Sequence, residues 1–152
     1  MLNLKITIVL FVVIISSSLA QDTLKFTDLK RYDHKIDSFE EKAKAENKKI
    51  LLYFSGDGCR PCERMKKEVF TDKSVVEAYD NVILLNTHLI MKPYPMPSKI
   101  HRKVNKYHIK LRREFETENE YPTFCLFSPD GDLIAKRNSM TVEEFISFAQ
   151  ME

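Results

Sequence analysis

Two short apolar runs constrain this chain more than anything else in it. Residues 50–54 read ILLYF and residues 82–86 read VILLN. Each suits a strand buried on both faces and is too short for a helix of ordinary length. Turn-forming residues bound them: Ser55, Gly56, Asp57 and Gly58 follow the first, and Asp80 and Asn81 precede the second. Between the runs the period changes. Cys62, Met65 and Val69 fall on one helical face, Thr71 and Asp72 offer a break and a new cap, and SVVEAY at 74–79 continues in helix. Strand, helix, strand with short connections is a βαβ unit, whose strands run parallel with a right-handed crossover.

The remaining segments arrange themselves around that unit. Ile36, Phe39 and Ala43 repeat at helical spacing within 33–49, with Asp33 or Asp37 to cap the start and Asn47 and the lysines to end it. LKF at 24–26 is a candidate short edge strand. TFCLF at 123–127 and LIA at 133–135 flank SPDGD, a hairpin with Pro, Asp and Gly where a turn wants them. Thr141 and Glu144 form a capping box before a last helix that buries Phe145 and Phe148. The expected architecture is α/β, a mixed sheet flanked by helices. A chain of 152 residues has room for one such domain and one core.

The first twenty residues stand apart. Lys5 is the only charge before Asp22, and from Ile6 to Ile15 only Thr7 is not apolar. Ser18 and Ala20 then supply a small-x-small ending. This is the pattern of a secretory signal peptide, residues 1–20, cleaved between Ala20 and Gln21. An uncleaved anchor is the alternative, but the apolar run falls short of the roughly 20 residues that span a bilayer. The mature chain, 21–152, keeps 23 basic and 22 acidic residues, a net charge of +1 that calls for no nucleic acid. Export, to a periplasm or the outside, places it where disulfides persist. Its cysteines are Cys59, Cys62 and Cys125, an odd number that internal bridges cannot exhaust. A monomer is the expected state.

Cys59 and Cys62 sit where a helix follows a buried strand. A sulfur at a helix start lies beside unpaired backbone N–H groups at the positive end of the dipole, which favours thiolate and lowers its pKa from about 8.5. Arg60 adds a positive charge, and Pro61 occupies the first turn, where its missing N–H costs nothing. Three readings stand side by side. A working redox pair would attack with one sulfur and resolve with the other. A structural staple closing so small a ring would constrain little of the unfolded chain. Half a zinc site would need two more ligands from Cys125, His88, His101 and His108, none of which forms a second paired motif.

Several pieces of the chain resemble the thioredoxin fold, and the exported thiol–disulfide oxidoreductases and the DsbD C-terminal domain type more than the small cytosolic thioredoxins. They are FEEKAKAENKKILLYFSGDGCRPCERM at 39–65, EVFTDKSVVEAYDNVILLN at 68–86, YPTFCLFSPDGDLI at 121–134, and the final helix. The resemblance implies an exchange enzyme with Cys59 attacking and Cys62 resolving, no cofactor and no metal beyond the pair, and protein thiols and disulfides as partners. It also implies a cis bond between Tyr121 and Pro122, with the backbone of Tyr121 pairing with an extended substrate segment. The reductant or isomerase direction is favoured on this ground, with a membrane electron donor upstream, while the arginine beside Cys59 pulls the other way, towards an oxidant.

The chain departs from that family pattern in places. Gly58 stands where an aromatic residue usually precedes the first cysteine, and Tyr53 stands where a buried acid commonly serves the second. An insert of about 87–110 precedes the Pro122 strand; it carries Pro93, Pro95 and Pro97, then a helical stretch from Lys99 to Phe115. No acid occurs from Asn81 to Arg113. That basic stretch is either a solvated helix or a surface that steers acidic proteins or anionic lipid headgroups. Cys125 reads as a small core residue of an inner strand. Two other functions keep the fold: a redox-silent binding or chaperone module, and a dedicated partner in cytochrome c maturation.

Overall fold

The βαβ unit read from the sequence forms the centre of the sheet. A computed structural model describes residues 23–29, 36–90, 99–115, 117 and 120–152. The expected signal-peptide segment, Asp33, and the prolines at 93, 95 and 97 lie outside the described residues. The strands are β1 (Thr27–Asp28), β2 (Lys49–Gly56), β3 (Val82–Leu89), β4 (Thr123–Phe127) and β5 (Leu133–Arg137), in the order β1-β3-β2-β4-β5. β2 pairs parallel with β3, from Lys49 opposite Val82 to Gly56 opposite Leu89. β4 runs antiparallel to β2, and β5 antiparallel to β4. The sheet is therefore mixed. The helices are α1 (Ile36–Glu46), α2 (Arg60–Arg64, continuing as a π-helical turn over Met65–Val69), α3 (Lys73–Ala78), α4 (Lys99–Glu114) and α5 (Val142–Ala149).

The continuous apolar runs follow from helices on both faces. Leu51 and Tyr53 of β2 and Phe124 and Leu126 of β4 point one way, onto Cys62, Met65, Val69, Val75, Tyr79, Phe145 and Phe148 from α2, α3 and α5. Ile50, Leu52, Phe54, Leu85, Cys125 and Phe127 point the other way, onto Ile36 and Ala43 of α1 and Leu111 of α4. Each large apolar side chain so buried contributes roughly 1.5–3 kcal/mol.

Local signals set the element ends. Asn47, in the left-handed region at φ 50°, stops α1, and the Lys48 N–H reaches back to the Ala43 carbonyl at 2.9 Å. Asp72 caps α3 by accepting from the N–H groups of Ser74 and Val75. Thr141 and Glu144 make both bonds of the capping box at α5. The edge strand differs from its expectation. It pairs at Thr27 and Asp28, opposite Leu85 and Asn86, rather than at 24–26. Leu24 is drawn off the sheet because its N–H donates to the Phe70 carbonyl at 3.0 Å, and Leu24 and Phe26 pack on the core beside α2. β3 also runs past residue 86 to Leu89, so the first residues of the expected insert belong to the sheet.

Candidate active site around Cys59 and Cys62

β2 ends at Gly56, and the next residues turn the chain into α2. Gly58 takes φ +73°, a conformation that an L side chain adopts only under strain, and this explains why glycine and not an aromatic residue precedes the first cysteine. Cys59 is the N-cap of α2, extended at φ −76° and ψ 94°, and its Sγ accepts from the Cys62 N–H at 3.1 Å. Its carbonyl accepts from the Glu63 N–H at 3.1 Å. Pro61 falls in the first turn, and Arg60 lies exposed beside it.

Cys59 and Cys62 form a disulfide with a Cα–Cα separation of 5.3 Å. The two sulfurs differ in access: Cys59 is partly exposed, whereas Cys62 is only 3% exposed. Among the described residues no cluster of three or more His, Cys, Asp or Glu side chains is placed to hold a metal ion.

The Tyr121–Pro122 peptide is cis. Pro122 is buried and opens into β4. Tyr121 packs against both cores, and Cys59 borders one of the same two clusters. The Tyr121 hydroxyl lies 2.7 Å from Nε2 of His108 and accepts from Arg112 at 3.2 Å, with the guanidinium 5.5 Å from the ring centroid. Nδ1 of His108 lies 3.1 Å from the Thr87 hydroxyl. A neutral imidazole with its proton on Nδ1 satisfies the set: Arg112 donates to Tyr121, Tyr121 to His108, and His108 to Thr87. Burial, then the charges of Arg112 and His88, lower the His108 pKa to about 4.

A second polar chain lies at the same end of the sheet. The Ser55 hydroxyl donates to Asn86 at 3.0 Å and lies 2.8 Å from Nδ1 of His88; Nε2 of His88 meets the Asp57 carboxylate at 2.9 Å. Asp57 sits in the turn that delivers Cys59, and its N–H donates to the Leu89 carbonyl at 3.0 Å. The sequence offers His88 and His108 only as unlikely metal ligands, marks Ser55 and Asp57 only as turn residues, and gives Thr87 and Arg112 no role at the site. The parallel register that puts Ser55 opposite His88 was the available signal.

Tyr53, at the position of the family's acid, is buried among Phe26, Phe70 and Phe124. Its hydroxyl is enclosed without a hydrogen-bond partner among the described residues, and burial raises its pKa above the ordinary phenolic value. No carboxylate stands there to serve Cys62. Cys125 is fully buried in β4, and burial pushes its thiol up to about 12, Lys136 opposing only in part. It is a core residue.

A family model described as a thioredoxin-like domain matches residues 36–149. No curated protein sequence matches significantly. Among solved structures, the chain is similar to the DsbH oxidoreductase, with a TM-score of 0.66, 14% identity, and coverage of 89% of this chain and 88% of that one. A disulphide-isomerase candidate of Bacteroides thetaiotaomicron superposes with a TM-score of 0.62 and 18% identity, over 85% and 92% of the two chains. The oxidised DsbD C-terminal domain of Neisseria meningitidis does so with a TM-score of 0.53 and 14% identity, over 76% and 94%. At these identities the likeness establishes the fold.

Proposed function

The chain belongs to the thioredoxin-like domain family, and on that premise we propose that it is a thiol–disulfide oxidoreductase working through Cys59 and Cys62. One observation carries the reading: a disulfide-forming pair at a helix N-terminus, with one sulfur reachable and the other enclosed.

In the reduced protein the Cys59 thiolate is stabilised by the helix N-terminus and by the Cys62 N–H, which already points at Sγ. It attacks one sulfur of a substrate disulfide. A Cys59–substrate disulfide forms, and the departing substrate sulfur takes up a proton. Cys62 then gives up its proton and attacks Sγ of Cys59. The internal disulfide closes and the second substrate thiol leaves, so two electrons have passed from protein to substrate. The same steps in reverse oxidise a dithiol. Tyr121 and Pro122 border the groove in this reading, with the Tyr121 backbone pairing with an extended substrate segment.

The direction is read as reductive or isomerising. Arg60, which would favour an oxidant, is exposed and screened by solvent, and the isomerase description of the Bacteroides relative points the same way. Residues 1–20 are read as a cleaved export signal, with 21–152 as a single exported domain that works as a monomer on protein thiols and disulfides. No helix among the described residues is long and apolar enough to cross a membrane.

The test is equilibration of residues 21–152 in graded thiol redox buffers, with free thiols trapped at Cys59 and Cys62. A reversible two-electron transition is expected, with a midpoint near thioredoxin's, about −270 mV. A midpoint near DsbA's, about −120 mV, would reverse the direction. A pair locked in one state across the series would sink the enzyme and favour a binding module.

A further inference from the structure

The solvent side of α4 is a single-sign surface. Lys99, Arg102, Lys103, Lys106, Lys110 and Arg113 are all exposed. At 100° per residue they share a sector about 100° wide and about 21 Å long. Elsewhere two helical lysines have an acid one turn on, Lys42 with Glu46 at 3.8 Å and Lys73 with Glu77 at 3.7 Å. In α4 the lone acid is the last residue, Glu114. Like charges spaced one turn apart destabilise a helix, so folding alone does not account for the stripe. Net charge does not account for it either, because the whole chain carries only +2.

The inner side of the same helix is tied to the redox end of the sheet. The Asn105 side chain clasps both backbone groups of Ile90, at 3.0 Å and 2.8 Å. His108 and Arg112 hold the Tyr121 hydroxyl, and Leu111 is buried in the core. These contacts join the helix that carries the stripe to Tyr121, next to the Tyr121–Pro122 peptide.

We propose that the basic stripe of α4 is the docking surface for the redox partner, and that this partner is a protein whose reactive disulfide or dithiol lies beside an acidic patch. The inference rests on the exchange activity proposed above and adds the chemistry of its substrate. A protein fits better than a bilayer. Among the described residues the stripe presents charge with one exposed large apolar side chain, Ile109, at its margin, whereas helices that lie in a membrane interface pair their basic face with a broad apolar one. An acidic partner would be steered to the stripe before the sulfurs meet, so the effect falls on association and weakens with salt.

The probes are two synthetic peptides identical around one disulfide, one flanked by glutamates and one by lysines. Single-turnover reduction by the reduced protein is followed in about 20 mM and about 500 mM salt. Hydroxyethyl disulfide, which is neutral, serves as the reference for each protein. The expected result at low salt is a preference of about tenfold or more for the glutamate peptide, collapsing towards parity at high salt. The triple variant R102E, K106E and K110E should reverse the preference, and the glutamine version at the same positions should abolish it. Equal rates at low salt, or a preference that survives both variants, would overturn the proposal while leaving exchange intact. Stripe-dependent binding to phosphatidylglycerol vesicles without any peptide preference would overturn it in favour of a lipid surface. Failure of the wild type to reduce hydroxyethyl disulfide would instead bring down the exchange reading beneath it.

Discussion

α2 and α4 lie on opposite faces of one sheet and serve the same site by different physics. α2 is held by apolar packing through Cys62, Met65 and Val69, and it acts on its cysteine through backbone groups at its first turn. α4 buries Val104 and Leu111, but it also buries a histidine, and it reaches the site through the side-chain hydrogen bonds that join Tyr121 to His108 and Arg112. Packing tolerates small changes of shape. A buried polar chain is strong when every member is satisfied and costly when one is removed. The α2 side should therefore fail mainly in chemistry, and the α4 side mainly in stability.

The sharpest break is Cys59→Ser. Exchange should fall to the uncatalysed background while the thermal midpoint of the reduced protein moves little. Cys62→Ser should still attack but accumulate a mixed disulfide, seen as a mass adduct. A Cys62→Ser protein that turns over without such an adduct would contradict the assigned roles.

The α4 side comes next. His108 has a pKa near 4 in the folded protein against 6.5 for a free imidazole, so as pH falls the unfolded chain takes up the proton first. The stability contributed by the neutral form is present above about pH 6.5 and is lost progressively down to about pH 4, by about 3 kcal/mol. Urea unfolding across that range should show a steeper slope for the wild type than for His108→Gln. The variant should also lose about 1–3 kcal/mol at pH 7, because Tyr121 and Thr87 lose a partner. Parallel slopes would mean that His108 is not held neutral.

Smaller still is Tyr53→Phe on the α2 side. Removing an enclosed, unpartnered hydroxyl should leave stability within about 1 kcal/mol or raise it, with the exchange rate unchanged. A large loss of rate would give that hydroxyl a part in the proton transfers at Cys62. Least of all should happen at Cys125: native protein treated with iodoacetamide should stay unmodified there and react only after unfolding.

Much of this molecule was legible before any fold was in view. The ILLYF run, the cap at Asp72, the Thr141–Glu144 box and the SPDGD turn each depend on residues within a few positions of one another. Hydrophobic period and hydrogen-bond chemistry state them locally. The placement of Cys59 at a helix start is of the same kind. LKF misled because an apolar triplet signals burial, and only contact with Phe70 decides that the burial is against a helix and not in the sheet.

The sequence by itself determined a parallel βαβ core, a cysteine pair at its functional end and a helix of one charge sign after the prolines. Tertiary structure alone decided that Ser55 meets His88 and Asp57, that Thr87, His108, Arg112 and Tyr121 form one chain, and that the basic helix is fastened beside the cis peptide. The physical reason is range. Caps and periods are set within one or two turns of chain. Strand register and the docking of α4 join residues far apart in the chain, such as Ile50 opposite Phe127, and they settle only when two cores close on one sheet at once.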